Sequence, residues 1–212
     1  AYAYGKYLGE VVATFDDDGN LTELTGAPVL LDASVEEDAD TKARVDELAG
    51  PLEEMRATVV AESAEPIEGA RDVCRAMECP MGNLVADAML DRVKDQGVQI
   101  AIQNSGGVRA SIDAGEVTMG EVLTVLPFQN TLSTFQISGA TLIEALEPVD
   151  PEATYGAVSN NYVRNGGDGY KMFVDAANAY DFGPDLADVV AEYLAANAPY
   201  TPYIDGRITV TE

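Results

Sequence analysis

Three short stretches of the chain carry residues able to hold a polar ligand. Arg75 lies between two cysteines in Cys74-Arg75-Ala76-Met77-Glu78-Cys79. Asn104-Ser105-Gly106-Gly107-Val108-Arg109 and Asn165-Gly166-Gly167-Asp168-Gly169-Tyr170 each join a glycine pair to an amide and a charged group. Glycine pairs let a backbone turn sharply and bring amides close to a ligand. Neither stretch fits a P-loop or a GxGxxG pattern, and on glycine alone two tight turns are the simpler reading. The cations tip the balance. Only 12 Lys and Arg stand against 37 Asp and Glu, a formal net charge of −25. Arg75, Arg109 and Arg164 beside these loops therefore point to an anionic or polyhydroxyl ligand. The competing reading pairs each of them with a neighbouring carboxylate, at little energetic gain.

Composition removes several function classes. Histidine is absent, which excludes His-based catalytic dyads, Zn-His sites and most transition-metal centres. The acidity argues against nucleic acid polymers and anionic membranes, which need a basic surface, and is compatible with a saline habitat. No run approaches the roughly 20 apolar residues of a membrane span. The first residues, Ala1-Tyr2-Ala3-Tyr4-Gly5, read as strand rather than as a signal peptide, so the sequence is expected to start inside a larger protein. The CxxxxC spacing fits neither a zinc knuckle nor a CxxC redox site. It leaves two free thiols, or a short-loop disulfide contributing roughly 2 kcal/mol and implying an oxidising compartment.

The elements that must position these residues alternate. Residues 1–32 predict a β-hairpin about the turn Asp16-Asp17-Asp18-Gly19-Asn20, which only faintly resembles a calcium loop. Residues 34–57 predict a helix with Ser34 and Glu37 as a capping box and an apolar stripe of Val35, Ala39, Val45, Leu48, Leu52 and Met55; Gly50-Pro51 is expected to break or kink it. Strands are expected at 59–61, 98–103, 131–137, 153–159 and 206–210. Helices are expected at 81–93, from Thr118, from Ser138 to Leu146, and at 186–197. With 47% apolar residues this gives a core-forming α+β or mixed α/β fold, a single domain with a mixed sheet and flanking helices.

Five stretches in this order resemble the C-terminal domain of 5′-nucleotidases. They are Cys74-Arg75 through Cys79-Pro80-Met81-Gly82-Asn83-Leu84, Gln103 through Arg109, Val125-Leu126-Pro127-Phe128, Ile137-Ser138-Gly139-Ala140-Thr141-Leu142, and Asn160-Asn161-Tyr162 through Tyr170. The resemblance implies three segments: 1–33, a hairpin forming the tail of a missing metallophosphatase domain; 34–57, an interdomain helix; and 58–212, the C-terminal domain. In such proteins the N-terminal domain holds two divalent metal ions and hydrolyses the substrate, while the C-terminal domain holds the nucleoside. This chain is thus expected to recognise a nucleotide or nucleoside without catalysing by itself and without a cofactor of its own. Its expected partner is the missing N-terminal domain, and its location periplasmic or secreted.

The resemblance also implies residue roles. Arg75, Asn104 and Arg109 match positions contacting the nucleotide, Asp168 the carboxylate that accepts ribose hydroxyls, and Tyr162 one ring of the pair that sandwiches the base. Gly106, Gly107, Gly166 and Gly167 form the loops. Cys74 and Cys79 match a family disulfide. One departure stands out: several dozen residues usual between the helix ending near Glu147 and the strand starting near Thr154 are replaced by Pro148-Val149-Asp150-Pro151. The second ring is expected to be lost with them, Phe128 being read as core packing. One ring would leave an affinity of about millimolar, near −4 kcal/mol. A second hypothesis is a scaffold that has lost ligand binding.

Overall fold

The structure is a computed structural model, and it describes residues 5–142 and 150–208. The chain divides into two compact units, residues 1–50 and 51–212. In the first, β1 (Tyr7–Phe15) and β2 (Leu21–Leu30) pair antiparallel. The turn between them is closed by Asp16, whose Oδ1 accepts the N–H groups of Asp18 and Asn20 at 3.0 and 2.8 Å. It is an ordinary Asx-type turn. The register gives the hairpin one apolar face, with Tyr7, Val11, Ala13 and Phe15 sharing it with Leu30, Pro28 and Leu24. Leu8, Val12 and Val29 stand among polar neighbours on the other.

Helix α1 (Ala39–Ala57) begins in the first unit and ends in the second. It starts five residues later than the sequence predicts. Asp38 caps it, accepting Thr41 N–H at 2.8 Å, because Ser34 is engaged by Asp32, donating through Oγ at 2.6 Å. The helix runs through Gly50-Pro51 without a break. Pro51 removes one hydrogen bond, but the carbonyl it frees lies on an exposed helix where water can serve it. The expected stripe is not buried: Val45, Leu48, Leu52 and Met55 are all exposed, as is Val35 ahead of the helix.

In the second unit, β3 (Val59–Ser63) is followed by α2 (Arg71–Cys74), α3 (Pro80–Val93) and β4 (Ile100–Ile102). Then come β5 (Gly115–Thr118), α4 (Met119–Val125), β6 (Leu132–Ser138), α5 (Gly139–Leu142) and β7 (Thr154–Asn160). The unit continues with α6 (Asn161–Arg164), β8 (Ala177–Tyr180) and α7 (Leu186–Ala196). β3 and β5 form an antiparallel pair, and a four-stranded sheet has the order β4-β7-β6-β8. β4 and β7 are parallel and the other neighbours antiparallel, so the sheet is mixed, as expected.

Helix α3 forms because Pro80 presets the first helical φ and Met81, Leu84, Val85, Ala88 and Met89 recur on one face. That face packs into the main core with Leu186, Val190 and Leu194 of α7 and with Val117, Val122 and Val125. A second cluster of Ile102, Phe135, Ala157, Val163 and Phe173 lies beneath the second glycine loop. The helix expected to reach Leu146 is described as far as Leu142; its remainder and residues 147–149 of the short connection lie outside the described residues.

The expected strand from 206 is not formed at 206–208, and 209–210 lie outside the described residues. Side chains rather than a strand neighbour hold this stretch. Glu78, only 7% exposed, accepts from Asn83 Nδ2 at 2.7 Å and from the N–H groups of Asp205 and Gly206 at 3.1 and 3.0 Å. Arg207 donates to Asp87 at 2.7 Å and to Asp205 at 2.8 Å, and Tyr203 donates its hydroxyl to Asp87.

The Asn83 amide holds the Glu78 carboxyl below the usual carboxylate range, and Arg207 pulls Asp205 down to about 2. Both groups bind protons more weakly folded than unfolded. They therefore stabilise the clasp above their ordinary values of 4.5 and 3.8, and cease to as pH falls through the folded ones. The amide proton resonances of Asp205 and Gly206 will titrate on acidification with a midpoint below 4.5. A midpoint at or above that value would refute the clasp.

Candidate functional site

The sheet topology brings distant stretches of sequence to one end. β4 and β7 are parallel with Ile102 opposite Ser159, so both chains leave the sheet at the same end. β6 runs against β7 with Leu132 opposite Asn160, so the segment entering β6 lies at that end too. Loops there carry Asn104 after β4, Tyr162 and Asp168 after β7, and Phe128 and Asn130 before β6. Strand ends of this kind are where α/β sheets commonly accommodate ligands.

These loops line a cavity of about 510 Å³, together with Arg75, Gly106 and Arg109. All five residues singled out by their resemblance, Arg75, Asn104, Arg109, Tyr162 and Asp168, lie on its wall. Arg75 ends α2 at the start of the Cys74–Cys79 loop, which is closed by a disulfide with Cα atoms 5.1 Å apart. Arg109 donates from Nη1 to Gly106 O at 3.2 Å, and its guanidinium lies 5.6 Å from the centre of the Phe128 ring. Neither Arg75 nor Arg109 has an ion pair among the described residues, although Lys42, Arg44, Arg92, Lys94, Arg164 and Arg207 do.

A polar network, buried at Asn104 and Asn160 and open to solvent at Tyr162 and Asp168, joins the two glycine loops. Asn104 donates from Nδ2 to Asp168 Oδ2 at 2.6 Å and accepts at Oδ1 from Asn160 Nδ2 at 2.9 Å. Asn160 is fully buried, caps α6 by accepting Val163 N–H at 3.0 Å, and donates also to Gln103 Oε1 at 3.1 Å. Tyr162 donates its hydroxyl to Asp168 Oδ1 at 2.9 Å. Asp168 itself sits at φ 50°, a left-handed conformation that non-glycine residues rarely adopt and that recurs at functional sites.

Gly167 is required by close approach, and Gly106 sits tight against neighbouring side chains. A Cβ on Gly106 would come 3.0 Å from Asp168 Oδ2 and 3.7 Å from Arg75 Nη2. One on Gly167 would come 2.4 Å from Tyr162 Cε1, because the tyrosine ring rests on that backbone. Gly107 and Gly166 belong to the same two loops.

Two sequence readings are corrected, and one residue is added. Phe128 is not core packing: it is 53% exposed and lines the cavity, comparable to Tyr162 at 50%. The signal was in the residues that follow it. Gln129-Asn130 is polar, so no helix or strand carries the ring inward. Arg164 is not at the cavity; it pairs with Asp181 at 3.4 Å and donates to Val174 O at 3.3 Å beneath the second loop. Asn130, not singled out from sequence, is on the wall.

The described residues contain no group of three or more His, Cys, Asp or Glu arranged to hold a metal ion. With no histidine in the chain, the donor set of these residues does not fit a pair of divalent metals.

Residues 59–148 match the family model described as 5′-nucleotidase, C-terminal domain. The chain is 31% identical to a trifunctional nucleotide phosphoesterase protein of Bacillus subtilis, over 98% of this chain and 18% of that protein. It is 29% identical to mouse 5′-nucleotidase, over 98% of this chain and 46% of the relative. Among solved structures, the 5′-nucleotidase precursor from Thermus thermophilus superposes with a TM-score of 0.73 at 31% identity, over 96% of this chain and 49% of that one. The chain thus spans less than half the length of these relatives. The alignment with the Bacillus protein runs over 258 positions against 212 residues here, so at least 258 − 212 = 46 positions have no counterpart in this chain. The family match ends at residue 148, inside the short connection.

The Gly167 contact yields a test. Gly167→Ala will lower stability by about 1–3 kcal/mol through overpacking, measured by urea unfolding. Adding Tyr162→Ala removes the clash and should return most of that loss, a coupling a double-mutant cycle reads directly. Strictly additive effects would mean the ring does not rest on this glycine.

Proposed function

We propose that the chain carries the C-terminal domain of a 5′-nucleotidase-family protein, the domain whose family model residues 59–148 match, and that it recognises a nucleoside 5′-monophosphate or nucleoside without hydrolysing it alone. The observation that carries this reading is the convergence on a single cavity of one carboxylate, two half-exposed rings and two guanidinium groups without an ion pair among the described residues. Each group suits one part of such a ligand. Phe128 and Tyr162 offer aromatic faces to the base, each such stack being worth about 1–3 kcal/mol. Asp168 accepts from vicinal ribose hydroxyls with the lone pairs left by Asn104 and Tyr162. Arg75 and Arg109 attract the phosphate side. Asn104 acts mainly as a positioning residue, since Asp168 and Asn160 occupy it.

The rest of the protein's activity lies with its partner. The segments are read as residues 1–33, the tail of a metallophosphatase domain; 34–57, an interdomain helix; and 58–212, the recognition domain. The apolar face of the hairpin supports this, because a two-stranded hairpin with every residue exposed is marginal by itself. The two divalent metals and the hydrolysis belong to the N-terminal domain. The Cys74–Cys79 disulfide supports a periplasmic or secreted location, as does the kinship with snake venom 5′-nucleotidase.

Calorimetric titration tests the reading. AMP and adenosine will bind the unaltered chain more tightly than about millimolar, because two rings rather than one are available. Tyr162→Ala and Phe128→Ala will each weaken binding by about 10-fold or more, and Tyr162→Phe will preserve it. Phosphate release from AMP will not exceed a buffer control with any divalent metal. No heat and no spectral change with either ligand would leave only a scaffold.

A further inference from the structure

Two amides line the cavity, and only one is spent. Asn104 is engaged by Asp168 and Asn160. The Asn130 side chain has no hydrogen bond among the described residues, although it lies on the same wall and is only partly exposed. Its backbone is held firmly. Asn130 O accepts Leu186 N–H at 2.8 Å, Thr131 N–H donates to Asn161 Oδ1 at 3.3 Å, and the Thr131 hydroxyl donates to Asp181 O at 2.8 Å. Between Phe128 and Asn130, Gln129 takes φ 52°. A left-handed glutamine costs conformational energy and persists only where its surroundings impose it, most often at functional sites. That turn sets a half-exposed ring and a free amide two residues apart on one cavity wall.

A ring can hold the face of a base while an amide reads its edge. We propose that Asn130 is the residue that determines base specificity, and that it selects a 6-aminopurine. A carboxamide presents one acceptor beside one donor. Adenine presents the complement, its exocyclic amino group beside a ring nitrogen that accepts. The Asn130 carbonyl takes the amino proton and its NH₂ group donates to that ring nitrogen. The assignment rests on the nucleoside-recognition reading and adds the identity of the base to it.

Adenosine, purine riboside and guanosine separate the two readings when titrated into the full 212-residue chain. Purine riboside keeps the ring system and the ribose and lacks only the amino group. The unaltered chain will bind adenosine about 10-fold more tightly than purine riboside, the discrimination of one good bidentate pair. Asn130→Ala will erase that ratio while still binding both. Asn130→Asp, an acceptor only, will favour guanosine, whose N1–H and N2–H groups both donate. Thermal melting confirms that each variant is folded, as expected for a side chain without an internal partner. A ratio unchanged in Asn130→Ala would overturn this assignment while leaving nucleoside recognition standing. No binding of any of the three to the unaltered chain would overturn both.

Discussion

The hydrogen bond from Asn104 to Asp168 is the constraint on which the rest of the site depends. It joins a loop leaving β4 to a loop leaving β7 across 64 residues of sequence. Both partners also have second tasks, Asn104 through Asn160 and Asp168 through Tyr162. A buried polar network is costly when incomplete and rigid when complete. The buried end of this one, Asn104 and Asn160, anchors an exposed Asp168 that takes a left-handed conformation at φ 50°. The same bond accounts for Gly106, since a side chain there would press on Asp168 Oδ2. Parallel pairing of β4 with β7 comes first, because it alone sends both loops to one end of the sheet.

Much of this was legible in the sequence wherever a local pattern decides the outcome. Helix α3 is written in Pro80 and the spacing of Met81, Leu84, Ala88 and Met89. The hairpin is written in its acidic turn. The polar residues of the cavity were legible because cations are rare in this chain and glycine pairs mark its loops. What was misread lacked a local signature. Ser34 begins a plausible capping box, yet its N–H and hydroxyl both donate to Asp32, and Asp38 accepts the N–H of Thr41 instead. The stripe of α1 is apolar in composition, yet Val45, Leu48, Leu52 and Met55 are exposed among the described residues. A closing strand at 206–208 is overridden by a carboxylate on the Cys74–Cys79 loop and by Arg207, contacts more than 100 residues distant that no window reveals.

Phe128 shows the limit of transferring patterns from a shortened region. Once the connection before β7 is recognised as short, the loss of a stacking ring looks inevitable if that ring is assigned to the missing segment. The fold supplies another, because antiparallel pairing of β6 with β7 delivers the segment preceding β6 to the cavity. Val125 and Leu126 just before it enter the core, while Phe128 stays half exposed beside the polar Gln129-Asn130. The missing positions therefore need not cost the cavity its second aromatic face.

The charge of the chain then becomes informative rather than paradoxical. A surplus of 25 negative charges repels an anion at long range, though salt shortens that reach to about 10 Å or less. Nearby groups decide the outcome inside a cavity, where the effective dielectric is lower than in water. Among the described residues Arg75 and Arg109 have no ion pair, and both line the cavity whose carboxylate is engaged by neutral donors. Asp168 is thereby turned toward Asn104 and Tyr162 instead of toward the arginines. One neutral amide and a phenol engage the acid, which leaves the cations available to a ligand.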